Sequence, residues 1–358
     1  MSATIHSPKR GAVYGLMAAA LFGLSAPLAK LILGADISPV LLAGLLYLGA
    51  AIGLSLWWTL SAMRGAQAVE APLQRADISK LAGVVITGGM LGPVLMLMGL
   101  TRVTALAGSL LLNLEAPITM LIAVVVFREH LGRDARAAAF LILLGALLLK
   151  LEFGALGADT LGVLLLASAC LCWSVDNNLT QRLSLRDPFA IVRIKTLIAG
   201  VTNTALGLAM SRWTLPPWRW VLGALVLGAF SYGVSVVLDA YALRLIGAAR
   251  EAAYFATAPF VGAIASMLLL GDSLRLLDGI AMLSMGLGVA LLLREKHAHL
   301  HEHTPMSHEH KHTHDAHHQH THTADDPPGE PHSHFHHHEH LVHDHAHVPD
   351  AHHRHEHE

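Results

Sequence analysis

The chain has 358 residues, 53% of them hydrophobic and only 14% charged. That is membrane composition, and it excludes a globular enzyme carried on a membrane anchor. The formal net charge of −2 says little about partners, because carboxylates in a C-terminal tail mask a basic remainder.

A helix crossing hydrocarbon needs about 20 mainly apolar residues, since every backbone N–H and C=O must be satisfied within it. The chain supplies ten such runs, at 13–33, 40–60, 81–100, 105–127, 137–149, 161–179, 191–210, 220–243, 249–270 and 280–293. The opening MSATIHSPKR carries two basic residues and leads straight into a full-length apolar run, which predicts an uncleaved first span. Lys and Arg of the short loops, Arg193 and Lys195 included, fall sixteen on the side of the N-terminus against six on the other. This asymmetry places both termini in the cytoplasm of a bacterial-type cell with a multi-pass inner-membrane protein.

Part of the text repeats. Residues 107–127 read AGSLLLNLEAPITMLIAVVVF and are followed by a charged turn and a second apolar run. Residues 248–270, AAREAAYFATAPFVGAIASMLLL, are followed in the same way, with Pro117 answered by Pro259 and Glu129 by Asp272. A weaker match sets ALFGLSAPLAK beside CLCWSVDNNLTQ, Lys30 opposite Gln181. Duplication with five spans per half makes the halves inverted. The expected fold is an all-α integral membrane protein, ten transmembrane helices forming two inverted five-helix repeats at 13–151 and 158–294. They lie between a cytoplasmic N-terminus, 1–12, and a disordered His-rich tail, 295–358.

Ten spans, inverted halves, short loops and a proline after a polar residue in the fourth span together resemble the EamA family of the drug/metabolite transporter superfamily, over about residues 11–294. The resemblance implies secondary transport of a small substrate. The Gly-Glu that commonly ends the fourth and ninth spans in that family is Arg128-Glu129 and Gly271-Asp272 here, so neither is carried over as a functional pair.

Carboxylates deep in a span are costly, so they normally face a cavity and mark a pathway. Glu115, near the middle of the fourth span, is the leading pathway residue. The bland alternative is a neutral, hydrogen-bonded Glu that only locks helices together. Asp176 and Asn177 in the sixth span, Asp239 in the eighth and Glu251 at the start of the ninth converge on the cytoplasmic half. Each alone is as readily an interfacial residue paired with Arg244 or Arg250. Asn113 lies two positions from Glu115 and points nearly the opposite way, so only one of them faces the pathway centre. Cys170 and Cys172 are about 200° apart on one helix and read as free packing thiols. Met90, Met96 and Met98 read as flexible packing.

From His297 onward, 62 residues hold 25 histidines and 11 carboxylates, a composition that cannot bury a core. Repeated His-x-His marks His297, His299, His301, His303, His308, His310, His312, His314, His317, His318, His320 and His322 as metal ligands. His332, His334, His336, His337, His338, His340, His343, His345 and His347 continue the series. Imidazole with occasional carboxylate suits nickel, cobalt, zinc or copper. An expression tag does not interleave Asp, Glu, Thr and Pro in this way; a solvated polyelectrolyte with no cellular role is the other bland reading. His308-Glu309-His310-Lys311-His312 fits the zinc-protease pattern H-E-x-x-H by chance, since it lacks a helix with a dry cleft.

No P-loop is present, so ATP is not the energy source, and no cofactor is obligatory. Expelling a divalent cation against roughly 100 mV costs about 4 to 5 kcal/mol, so a coupling ion is needed. The expected function is export of a divalent transition-metal cation, nickel or cobalt, by proton antiport, with the tail as collector. In this the chain is similar to the His-tailed nickel/cobalt-resistance exporters of the superfamily. One alternative is an exporter of a small organic metabolite or amino acid whose tail is only regulatory. Another is a membrane-tethered metal buffer or sensor. The expected partners are the bilayer and the transported cation or metabolite, with no nucleic acid; a homodimer is left open.

Overall fold

The computed structural model describes residues 8–64, 71–127, 132–152, 158–183, 186–246, 251, 254–294, 297–303, 306–312, 332–338 and 341–347. Each of the ten expected runs carries helix. Seven are long and apolar enough to cross a bilayer: Arg10–Leu33, Pro39–Met63, Arg75–Leu100, Ala105–Val126, Thr160–Thr180, Pro188–Met210 and Trp218–Ala242. The fifth, ninth and tenth spans are built on helices Arg133–Glu152, Ala258–Leu270 and Leu276–Arg294.

Several ends differ from the sequence reading. The first helix is described from Pro8 and its apolar span from Arg10, so residues 10–12 join the span, and the fifth helix starts at Arg133 rather than at 137. Charge does not end this helix, since Arg133 and Arg136 are exposed and their long side chains can reach away from the apolar face. The tenth starts at Leu276 because the Asp278 carboxylate accepts the Arg275 backbone N–H at 3.0 Å, capping the first turn.

The interruptions repeat between the halves. In the fourth span a 3-10 turn, Leu112–Leu114, separates helix Ala105–Leu111 from helix Glu115–Phe127; in the ninth, a turn at 256–257 precedes helix Ala258–Leu270. Pro117 and Pro259 explain both breaks, since each lacks an N–H and its ring crowds the preceding turn. The third and eighth spans each widen into a π-helical turn, Val85–Leu91 and Ala229–Val234. The second and seventh spans start alike: Ser38 caps the Leu41 N–H and Asp187 the Phe189 N–H, each with proline next. Packing follows the same symmetry, second span on seventh, fourth on ninth and fifth on tenth.

We call the end of the bundle where the first span starts the near end. At the far end the Asp272 carboxylate accepts the Leu106 N–H at 2.9 Å, so the second half caps a helix of the first. Lys30 donates to the Leu100 and Val103 carbonyls beside it. These groups border a cleft of about 620 Å³ that Arg102 and Arg275 also line. Asp272→Ala is expected to lower stability by about 1 kcal/mol, the usual cost of an uncapped helix start, read as a lower melting temperature in detergent.

Two loop charges move inside. Lys195 lies two turns into helix Pro188–Met210 and is buried. Arg193 is half-buried with its guanidinium 4.5 Å from the Trp58 ring centroid. Both already lie inside the 191–210 run although they were counted with the loops, and without them the loop bias is fourteen against six.

In the tail, where no regular structure is expected, the described segments run as strands. β1 (His297–His303) pairs antiparallel with β4 (Leu341–His347), and β2 (Met306–His312) with β3 (His332–His338). His-x-His has the two-residue period of a strand. Each sheet has only two strands, an arrangement marginal in water and consistent with a tail that has no core of its own.

Candidate functional site

Glu115 is the first residue after the 3-10 turn of the fourth span, and the break turns it toward the sixth. Its Oε1 accepts a hydrogen bond from Asn177 Nδ2 at 2.6 Å. Ser174, one turn earlier on the sixth span, donates to the Glu115 carbonyl at 3.1 Å and accepts from the Thr119 hydroxyl at 3.0 Å. Glu115 therefore sits in a polar seam between two spans from different halves.

Asp176, beside Asn177, is 4% exposed and forms an ion pair with Lys195, itself 9% exposed. Thr180 adds a hydroxyl to the other carboxylate oxygen at 3.3 Å. The pair leans on the π turn of the third span at Gly88, whose carbonyl accepts from the Tyr47 hydroxyl at 2.7 Å and Trp173 Nε1 at 3.2 Å. A π turn leaves carbonyls off the regular ladder, free for such side-chain donors.

The side chains of Asp239 and Glu251 lie close to each other and near enough to Glu115 to feel its charge. Glu251 is buried, and one oxygen of each, Asp239 Oδ1 and Glu251 Oε1, has no partner among the described residues. Lys195 in turn lies within the field of both Glu115 and Asp239. Four carboxyl groups, one ammonium and one amide thus share a single region between the fourth, sixth, seventh, eighth and ninth spans. Asn113 is elsewhere: buried, its Nδ2 3.7 Å from Met285 Sδ of the tenth span.

An aromatic layer lies beyond the carboxylates. Phe22 meets Phe255, Tyr232 and Trp173 with ring centroids 5.2, 5.7 and 5.9 Å apart, and Tyr47 meets Tyr232 at 5.3 Å. Trp173, Tyr232 and Phe255 each stand one or two turns farther from the near end than the carboxylate on their own span. The rings therefore fill the space on the far side of the acidic site.

Sequence reasoning missed Lys195, Gly88 and this layer. Lys195 was visible as a charge inside the 191–210 run, where it was counted with the loops; Gly88-Gly89 was visible as a glycine pair in an apolar run. Nothing local marked the aromatic layer, which is assembled from five spans. Among the described residues no three His, Cys, Asp or Glu side chains stand close enough to hold one metal ion. Cys170 and Cys172 are free thiols, the former buried against the Leu111 and Leu112 carbonyls.

In the tail, the register sets His297, His299 and His301 opposite His347, His345 and His343. It sets His308, His310 and His312 opposite His336, His334 and His332. His303 opposes Leu341, His337 opposes Ser307 and His338 opposes Met306. His314, His317, His318, His320, His322 and His340 lie outside the described residues, as do Arg128, Glu129 and Arg250.

Comparison with known proteins agrees with this architecture. A model of the EamA-like transporter family matches residues 9–151 and again 160–294. An uncharacterized transporter of Methanothermobacter thermautotrophicus is 30% identical over 284 residues, 75% of this chain and 82% of its own. A crystal structure of a protein of unstated function aligns with a TM-score of 0.60 at 20% identity, over 80% of this chain and 96% of its own. That second likeness is one of fold.

Proposed function

Because the chain belongs to the EamA-like transporter family, we propose that it is a secondary transporter that exports a divalent transition-metal cation, nickel or cobalt, in exchange for protons. The observation that carries this reading is the acidity of the site, where Asp176 and Glu251 are buried while Glu115 is half-buried beside an exposed Asn177. Four carboxyl groups face a single described ammonium, that of Lys195, so the site carries an excess of acid that a divalent cation or protons would offset. The site binds either cargo or additional protons, and alternating access between inverted halves exposes it to each side in turn.

The membrane orientation belongs to the same proposal: the near end faces the cytoplasm of a bacterial-type cell, and the tail collects cargo there. The first ribbon strand begins at His297, three residues after the tenth span's helix ends at Arg294 on the near side, so the tail is held beside the near mouth. The facing histidines of the two ribbons support the collecting role, since cross-strand neighbours come within about 5 Å of each other at Cβ.

Radiolabelled nickel uptake into inverted vesicles, with and without an imposed pH gradient, tests the reading. Gradient-dependent uptake is expected, and none above empty vesicles sinks it. Removing residues 297–358 is expected to raise the KM for nickel several-fold with little change in maximal rate. Histidine ordinarily titrates near pH 6.5 and must be neutral to bind metal, so this difference is expected to fade when the medium on the tail side is below about pH 6.

The aromatic layer favours a second reading, a small organic cation or amino acid as cargo, because ring faces attract organic ammonium groups. Here the tail only regulates. Nickel accumulation would be unchanged in cells expressing the protein, while an amino acid left them faster.

A further inference from the structure

The seventh span brings one positive charge into a site whose other charged groups, among the described side chains, are acids, and the structure invests several contacts in holding it there. Lys195 and Asp176 form a buried pair on neighbouring spans of the same half. Gly88 is what makes room for it, since a Cβ at that position would fall 1.9 Å from Asp176 Oδ2. Tyr47 and Trp173 fix the Gly88 carbonyl and so hold the π turn against the pair. A buried ion pair is a poor device for stability alone, because desolvation offsets most of the attraction.

We propose that Lys195 is a tethered stand-in for the cargo: its ammonium occupies Asp176 while the site is empty, and the incoming cation binds by displacing it. The inference rests on the divalent-cation reading above and adds a residue that sets affinity and release. The exchange conserves charge locally. A cation arriving at Asp176 finds Glu115 on the same side through Asn177, and the freed ammonium has Asp239 and Glu115 as its next partners, whose charges it already feels. The oxygens of Asp239 and Glu251 without a described partner are the acceptors for the displaced group or for the cargo itself. Binding alone then shifts the one cation among the described side chains of the site from the sixth span toward the eighth, within the second half. The same exchange run backward expels the cargo, because Lys195 returns to Asp176.

The test uses the full chain in membranes. Wild-type protein is treated with the membrane-permeant amine reagent acetic anhydride, with and without nickel chloride, and Lys195 and Lys30 are quantified by mass spectrometry. Nickel is expected to raise Lys195 labelling several-fold and to leave Lys30, held by two carbonyls at the far end, as the constant reference. In parallel, Lys195→Met, which removes the competitor, is expected to lower the KM for nickel about tenfold and to lower the maximal rate by a similar factor, because cargo is no longer pushed out. A merely structural lysine would lower the rate without tightening KM. If Lys195→Met fails to fold with Asp176 stranded, the double variant Asp176→Asn, Lys195→Met removes both charges, and is expected to fold and to lose the tight KM. Nickel transport with unchanged Lys195 labelling overturns displacement and leaves the cargo reading intact. Neither transport nor a labelling change overturns both.

Discussion

Glu115→Gln is expected to slow gradient-driven nickel uptake by roughly 10- to 100-fold while the protein still folds and reaches the membrane. The substitution keeps the shape of the side chain and an oxygen that can accept from Asn177, so the seam between the fourth and sixth spans is retained. What it removes is one negative charge and one site for a proton. Hydrogen bonds to charged groups are worth about 1.5 to 3 kcal/mol, and 1.4 kcal/mol corresponds to a factor of ten, which sets the range. With one carboxylate fewer, the site has less negative charge with which to offset a divalent cation. Uptake is also expected to lose most of its dependence on the pH gradient. The same variant separates a transporter from a buffer: a buffer that moves nothing would keep its full protective effect. Wild-type uptake rates in Glu115→Gln vesicles would remove Glu115 from the mechanism.

Much of the architecture could be read in advance because the bilayer permits so few solutions. Pro117 and Pro259 announced the repeat, and the structure shows what they do in it, breaking the fourth and ninth helices at corresponding places. Ser38-Pro39 and Asp187-Pro188 are start signals of the kind that sequence shows well, since a cap is a local event. The acids were legible for an energetic reason: a carboxylate inside a span is too expensive to be incidental. Lys195 carried the same cost and escaped notice, because a long basic side chain near a span end reads equally well as reaching for the interface. The π turns were not legible at all. One extra residue in a turn leaves no trace in a 3.6-residue period that apolar residues occupy on every side. The tail shows the opposite conflict, where composition argued against structure while the alternation of His with other residues already had a strand's period.

Gly88→Ala carries the other large effect, and it distinguishes a required close contact from a tolerant glycine. The added methyl would meet Asp176 at Oδ2, Cγ and Cβ, at 1.9, 2.2 and 2.8 Å. Swinging the carboxylate aside relieves the first two contacts but abandons Lys195; the third is relieved only if the third and sixth spans separate. Overpacking a close contact costs about 1 to 3 kcal/mol, and breaking a buried pair about 3 to 5 kcal/mol. Relaxation spares part of each, so a loss on the order of 3 kcal/mol is expected, with a clear drop in melting temperature in detergent and at least about a tenfold loss of transport. Gly223→Ala in the eighth span is the matched control. A Cβ there meets nothing within 4 Å, and alanine favours helix over glycine by about 1 kcal/mol. That variant is expected to melt at or above the wild-type temperature with transport unchanged. Gly88→Ala with wild-type melting and transport would mean that the third span can shift freely from the sixth, and that the Asp176–Lys195 pair does not depend on the shape of the π turn.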